Sequence, residues 1–420
     1  MNASRARPWL ISSAATAAVL VAVELGFRIL GVPVSRPEDL LTELDSHVLV
    51  RNRAGVSYRM FQGNVPVTTD RWGFRNGEVS PAKPEGVYRI VAFGDSTTFG
   101  YGVGDDETWC AQLEKMLNAA PGAARPRYEV VNAAVIGSVS TMGLRLLDRV
   151  MPRFRPDCIV VSYALNDAQM AGSLGYYLGK RLSEARGPRP AVVWLRNALW
   201  NHSVVSRWIL RDVTYEFRKP SYGRYWQKAM AGGWKQVSPD EYRGNLAEFA
   251  RIARAIGSDV IFLPMPVRLK HTLYTVYRDD ATRMSRAAWR RALRDTEKAI
   301  AKADKREDRS AMYLFVGRIH ETLGELRPAL DAYLAAMELS DQTRDLRWEA
   351  YRYANLMGEA AAKEKVPLAN VLPAFYMREL TDCPEALYAD GYHPGPLGHR
   401  IIAEALQGII ADLVRERKGI

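Results

Sequence analysis

Ser96 closes a Gly94-Asp95-Ser96 turn after the apolar run 88–93, and Asp390 and His393 stand three residues apart near the far end of the chain. A serine hydroxyl becomes a nucleophile when a histidine takes its proton and a carboxylate steadies the imidazole. Brought together, these three residues can therefore perform acyl-transfer chemistry. The setting of the serine favours it. A buried strand over 88–93 ends at Gly94, which lets the chain turn sharply, and Ser96 opens the next helix, where outward N–H groups favour developing negative charge. Each residue also has a plainer reading. Gly-Asp-Ser is common at turns, Asp390 can serve a helix N-terminus, and His393 can be a satisfied surface histidine. His399 is the main competitor for the base, but it falls inside an expected helix six residues on and should point elsewhere. His47, His202, His271 and His320 have no carboxylate at comparable spacing.

The elements that must position these groups alternate. Strands are expected at 88–93, 129–132, 158–163, 260–263 and 367–371, with helices at 108–119, 141–151, 239–256 and 396–417. Strands separated by helices imply a parallel sheet covered on both faces, which binds its ligands beyond the C-terminal strand ends. Two insertions interrupt the pattern. The first, 171–235, has twelve Lys/Arg against three Asp/Glu, a net of +9, and five of the ten tryptophans. The second, 270–365, reads as strongly helical. Inside it Gly317, Gly324, Ala329, Tyr333 and Ala336 fall at the offsets of one 34-residue tetratricopeptide repeat, with His320 and Asp341 departing from that pattern. A lone repeat cannot form a binding solenoid. Flanking helices at 285–302 and 345–363 would cover it, as a hairpin packed on the core or lidding the site, or alternatively as a partner-docking module.

Composition excludes other classes. With 48% hydrophobic and 25% charged residues, the chain of 420 is long enough for a sizeable core and is not disordered. Its net charge of +11 is largely local to 171–235 and comes with no nucleic-acid-binding signature, so no nucleic-acid partner is expected. A basic, aromatic flap beside a substrate or an anionic membrane surface fits that stretch as well. Three scattered cysteines, Cys110, Cys158 and Cys383, make neither a disulfide framework nor a metal cluster, and no metal or organic cofactor is implied. Arg5 and Arg7 precede the uncharged run 8–23, and apolar character continues to residue 29. The span 9–29 approaches the ~20 residues that cross a bilayer. Glu24 and Arg28, four apart, can pair on one face. The expectation is an uncleaved single-pass anchor at 1–34, with the rest of the chain periplasmic or extracellular, followed by a stalk and approach segment over 35–85.

Four blocks in order resemble the SGNH (GDSL-type) hydrolase family: Gly94-Asp95-Ser96; Asn132-Ala-Ala-Val-Ile-Gly137; Ala164-Leu-Asn166-Asp167; and Asp390-Gly-Tyr-His393, followed by Pro394. The resemblance covers roughly 85–170, 236–266 and 366–417. It implies a three-layer α/β/α, flavodoxin-like core over 86–417 that carries the two insertions. It further implies a Ser96–His393–Asp390 triad, and an oxyanion hole made by the N–H groups of Ser96 and Gly137 with the Asn166 amide. Asp95 and Asp167 read as structural hydrogen-bonders. The third block begins in the family with glycine, and Ala164 stands there instead. If that position needs a left-handed backbone, the methyl group would misaim Asn166.

The expected function is a membrane-anchored serine esterase acting on an acylated envelope glycan or lipid. One alternative is an O-acyltransferase that uses the same triad on a polysaccharide. Another is a non-catalytic scaffold that docks a protein partner through the helices of 281–363.

Overall fold

A computed structural model of the chain describes residues 3–30, 41–60, 65–75, 77–119, 126–169, 190–209, 224, 227–228, 231–233, 235–268, 284–339, 346–381 and 384–418. Helix α1 (Ala3–Ile29) is followed by two antiparallel hairpins, β1 (Thr42–Asp45) with β2 (Leu49–Asn52) and β3 (Ser57–Met60) with β4 (Val65–Thr68). The alternating core then begins. Strand β5 (Val87–Gly94) leads to α2 (Ser96–Phe99), α3 (Trp109–Ala119), β6 (Arg127–Asn132), α4 (Ser140–Phe154), β7 (Cys158–Ser162) and α5 (Leu165–Ala168). Helices α6 (Pro190–His202) and α7 (Val204–Trp208) precede α8 (Pro239–Ala255) and β8 (Asp259–Phe262). The remaining helices are α9 (Arg286–Ile300), α10 (Arg306–Leu323), α11 (Leu326–Leu339), α12 (Leu346–Glu364), α13 (Leu372–Thr381), α14 (Pro384–Leu387) and α15 (Pro396–Lys418).

The four core strands form one parallel sheet in the order β6-β5-β7-β8. Its alternation sorts the core. Ile90 and Ala92 join Trp109 and Leu113 of α3 and Ile402 and Leu406 of α15 on one face. Val91 and Phe93 join Leu147 of α4 and Leu246 and Phe249 of α8 on the other. This is the expected three-layer arrangement. The strand order reverses between β5 and β7, and ligands of such sheets lie at that switch point, beyond the carboxyl ends of the strands. A fifth strand over 367–371 does not form. A single bridge joins Phe262 to Leu368, because Pro264 and Pro266 stop β8 and Pro367 has no N–H to extend the ladder.

Among the described residues no helix is long and apolar enough to cross a membrane. The expected transmembrane anchor is not shown among them, and the last turns of α1 are bound to the domain. Glu24 of α1 accepts hydrogen bonds from the Ser203 hydroxyl (2.9 Å) and the N–H groups of Val204 (2.9 Å) and Val205 (3.0 Å). Arg28, paired with Glu24 as its spacing suggests, donates to the carbonyl of His202 (2.9 Å). The approach segment, where described, is built into the core rather than laid over it. The fully buried Arg89 guanidinium donates to the carbonyls of Ser80, Pro81 and Phe154 and pairs with Glu129. Of the basic stretch 171–235, α6 and α7 are described, with a few residues ahead of α8. Its reading as a flap falls largely outside the described residues, as does Cys383, while Cys110 and Cys158 are buried and free.

The helical insertion forms the hairpin its small residues allow. Helix α10 ends at Gly324 in the left-handed conformation (φ 80°), and α11 returns along it. Gly317 lies so close to the Tyr333 ring that a β-carbon there would sit 2.5 Å from it. Ala329, Leu330, Tyr333 and Met337 of α11 enter the central core, as does Trp348 of α12. These helices bury their apolar faces in their own domain, so the docking role expected for 281–363 gains no support. Helix α12 goes further, placing Tyr353, Met357 and Ala361 in the core beside α8. We expect Gly317→Ala to destabilise the chain by about 1–3 kcal/mol through overpacking against Tyr333, despite the ~1 kcal/mol that alanine gains as a helix former. Urea unfolding measures this, and unchanged stability would refute the close approach.

Candidate active site

The turn carrying Ser96 is held by its own backbone. A β-carbon at Gly94 would lie 2.3 Å from Thr98 Oγ1 and 2.7 Å from the Ser162 carbonyl, so only glycine fits between β5 and β7. Asp95 caps α2, its Oδ1 accepting from the Thr97 N–H (2.9 Å) and hydroxyl (2.7 Å). Burial raises the Asp95 carboxyl above its ordinary range even against these bonds. Asp95 is thus a structural hydrogen-bonder, as its type and position suggest. The helix that Ser96 opens is a single turn, ended by Gly100 at φ 89°. Buried Arg75 takes the carbonyls that would continue it, donating to Phe99 (2.9 Å), Gly100 (2.5 Å) and Val103 (2.5 Å). Charge at Ser96 therefore meets local N–H groups rather than the dipole of a long helix.

The last loop presents His393. Asp390 Oδ1 accepts the N–H groups of Tyr392 (2.7 Å) and His393 (2.9 Å), folding the loop into a tight Asx turn. Its Oδ2 lies 2.7 Å from His393 Nδ1, and His393 Nε2 lies 2.9 Å from Ser96 Oγ. With Nδ1–H donated to the carboxylate, Nε2 is left to accept the serine hydroxyl. Burial would raise the Asp390 carboxyl, but the hydrogen bond and charge of His393 and the two loop N–H groups outweigh it and hold the group below its usual range. His399 points elsewhere, as expected. It is fully buried, its Nδ1 accepting from the Trp109 N–H at 3.1 Å. Burial, with the fields of Arg75 and His393, pushes it down to about 3, so it stays neutral.

The expected oxyanion residues lie at the neighbouring strand ends. Gly137 occupies a turn closed by Ser138 N–H to the Val135 carbonyl (3.1 Å), at φ 74° and with open space where a β-carbon would be. This is the left-handed third position that a type II turn reserves for glycine. Asn166 opens α5 after β7, its Nδ2 donating to the Ser138 carbonyl (3.1 Å), which leaves the second amide proton to point elsewhere. Ala164 has φ −177°, extended backbone open to any residue. The departure from glycine therefore costs nothing here, and the scaffold reading loses its one sequence argument. Asp167 is fully buried and latches the two loops, accepting from the N–H (3.0 Å) and hydroxyl of Ser140 at the start of α4.

Four supporting residues are not visible in the motifs. Asn52, at the end of β2 and buried, donates from Nδ2 to the carbonyls of Ala134 (2.8 Å) and Gly73 (3.0 Å), while its Oδ1 accepts from the Ile136 N–H (3.3 Å). It thereby braces the turn carrying Gly137 from 84 residues away. Gln236 Nε2 donates to Gln169 Oε1 (3.0 Å), and Gln169 Nε2 donates to Asn166 Oδ1 (3.0 Å), which fixes which end of the Asn166 amide carries its protons. The Tyr101 ring packs on the His393 ring at 4.8 Å between centroids. Only Gln169, three residues after Asn166 on a helical turn, carried a local signal.

The model of the family described as GDSL-like Lipase/Acylhydrolase matches residues 92–308, just over half of the chain. Similar solved structures include an alpha/beta hydrolase enzyme from the metagenome of Lake Arreo, Spain (16% identity over 76% of this chain and 94% of that one, TM-score 0.37). Others are a lipase/acylhydrolase from Enterococcus faecalis (14%, 77% and 94%, TM-score 0.36) and an acetylxylan esterase from Geobacillus stearothermophilus (13%, 76% and 92%, TM-score 0.36). No curated protein matches the chain.

Asp167 gives the fold a pH signature. Burial, opposed by the Ser140 hydrogen bonds and reinforced by the charge of Asp95, pushes its carboxyl up to about 7. A group bound more tightly to its proton in the folded state stabilises most below its unfolded value near 4, and that contribution is lost as pH rises to 7. Asp167→Asn keeps an oxygen for Ser140 and removes the titration. The stability of the variant relative to the parent should therefore rise by roughly 3–4 kcal/mol between pH 4 and pH 8. Urea unfolding across that range tests this, and a constant difference would refute it.

Proposed function

The chain belongs to the GDSL-like lipase/acylhydrolase family, and from that membership we propose that Ser96, His393 and Asp390 are the nucleophile, base and orienting acid of its ester hydrolysis. What carries this reading is the unbroken hydrogen-bond chain from Asp390 Oδ2 through the imidazole to Ser96 Oγ, with links of 2.7 and 2.9 Å. Ser96 Oγ attacks the ester carbonyl carbon as its proton passes to His393 Nε2. The carbonyl electron pair moves onto oxygen, where the N–H groups of Ser96 and Gly137 and the Asn166 amide receive it. The imidazolium forms against a carboxylate that stays ionised at neutral pH. Collapse of the tetrahedral intermediate breaks the bond to the leaving alkoxide, which takes the His393 proton and departs as the alcohol. Water then gives a proton to His393 and attacks the acyl-enzyme, releasing the acid and restoring Ser96.

The substrate we propose is an acyl ester on an envelope glycan or lipid, met on the periplasmic or extracellular side of the cell membrane. Support for the location comes from the basic residues Arg5 and Arg7 ahead of the apolar stretch 9–29.

Ser96→Ala should lower hydrolysis of a chromogenic acetyl ester by ~10³-fold or more, and a fluorophosphonate should label Ser96 and no other serine. His399→Gln, which keeps an acceptor for Trp109, should stay within a few-fold of the parent. Parental activity in Ser96→Ala would overturn the assignment. Asn52→Ala, by loosening the turn that carries Gly137, should lower kcat about 10- to 100-fold with little change in KM. An unaffected kcat in the folded variant would remove Asn52 from the site.

A further inference from the structure

Helix α6 carries its apolar face outward. Val193 is buried and Asn197 Nδ2 donates to the Leu44 carbonyl of β1 (2.8 Å), so this side of α6 faces the domain. At 100° per residue, Val192, Leu195 and Leu199 fall on the opposite side and Trp194 on the flank between the two, and they are 58%, 52%, 42% and 70% exposed. A surface helix in water presents polar residues outward. Here that face is aliphatic and aromatic, with tryptophan at its edge.

The surface extends beyond α6. Trp208 and Ile209, at the end of α7, and Leu25, Ile29 and Leu30, at the end of α1, are also exposed. The two ends are joined by the Glu24 bonds to the start of α7 and by the contact of Phe27 with Trp208, 5.7 Å between ring centroids. Cations rim the patch. Arg28 is half exposed and paired with Glu24, and the partly buried Arg207 lies in the field of Arg28 and Arg53, so two arginines face one carboxylate there. Two such surfaces facing each other would bring their arginines together, whereas an anionic lipid surface meets both the apolar face and its rim.

We propose that α6, with the ends of α7 and α1, is a platform that lies in the interface of an anionic bilayer, its apolar side chains among the acyl chains and its arginines at the headgroups. Tryptophan at the edge of the face suits the headgroup level. The platform is fixed to β1, which pairs with β2, the strand that ends at Asn52, so lipid contact is made on the same hairpin that braces the Gly137 turn.

The test uses the full chain in a Cys383→Ser background with an environment-sensitive fluorophore on Leu195→Cys, and on Arg251→Cys of α8 as control. Phosphatidylglycerol-containing vesicles should blue-shift the label at 195, brighten it several-fold, and quench it when the lipids carry nitroxides. The label at 251 should not respond, and high salt should weaken the signal at 195. A label at 195 that stays aqueous on vesicle-bound protein would overturn the proposal. So would a shift that appears without lipid together with a doubled mass, which would make the face an interface between copies. Neither readout depends on ester hydrolysis, so failure here and failure of the catalytic reading are distinguishable.

Discussion

The hydrogen bond between His393 Nε2 and Ser96 Oγ joins residues 297 apart in sequence, and most of the polar construction at this end of the sheet serves to keep it made. The serine side is fixed by β5, central in the sheet, and by a turn that only glycine at 94 allows. The histidine side hangs on a short loop that needs more support. Tyr388 bridges Pro394, the Tyr388 hydroxyl donates to the Val267 carbonyl, and the Gly395 N–H donates to the Leu387 carbonyl. Immediately after the loop, α15 packs on α3, with neutral His399 accepting the Trp109 N–H between them. The histidine that competes on paper for the catalytic role thus pins the helix that presents the other one. Its low proton affinity follows from that burial and keeps a second positive charge out of the region when His393 is protonated.

Two buried carboxylates at the strand ends set the opposite side of the site. Removing a carboxylate from water costs several kcal/mol unless hydrogen bonds replace the lost hydration. Asp95 and Asp167 are buried with short-range donors, Thr97 and Ser140, each at the first turn of the helix that follows a strand. Their raised proton affinities show the compensation to be incomplete. In return, each carboxylate admits few geometries, and those geometries define where Ser96 and Asn166 stand. The residual cost is a stability penalty at neutral pH, located where function demands fixed loops.

What sequence reveals and what it hides follows from the range of the interactions. The strands, the flanking helices and the four blocks are local patterns, and the residues they named converge in space. Asn52 and Arg75 are invisible to such reading because the groups that Asn52 binds and the carbonyls at the end of α2 that Arg75 takes lie some 21 to 84 residues away, and nothing in their neighbourhood marks them. Their segment, full of turn residues, resembles a stalk, yet one side chain braces the Gly137 turn and the other ends α2. Ala164 shows the converse. A departure from the family pattern raises a concern about backbone strain that the φ of −177° removes. The Gln236–Gln169–Asn166 relay joins a residue ahead of α8 to α5 and could be found only in three dimensions.

The helical insertion shows how an added segment can become part of a site without supplying a catalytic group. Ala350 of α12 is buried against Leu165, the residue before Asn166, and Val267, with Tyr392 packed on the same cluster between Asp390 and His393. One small apolar cluster therefore touches the loops presenting the Asn166 amide and His393. Apolar contacts of this kind do not direct a proton, but they transmit displacement, because a packed interior resists compression. A change in how α12 sits would therefore be felt at both loops through Leu165 and Tyr392. The distance between Ser96 and His393 is thus held by the sheet on the serine side and, on the other, by a loop that the insertion packs against.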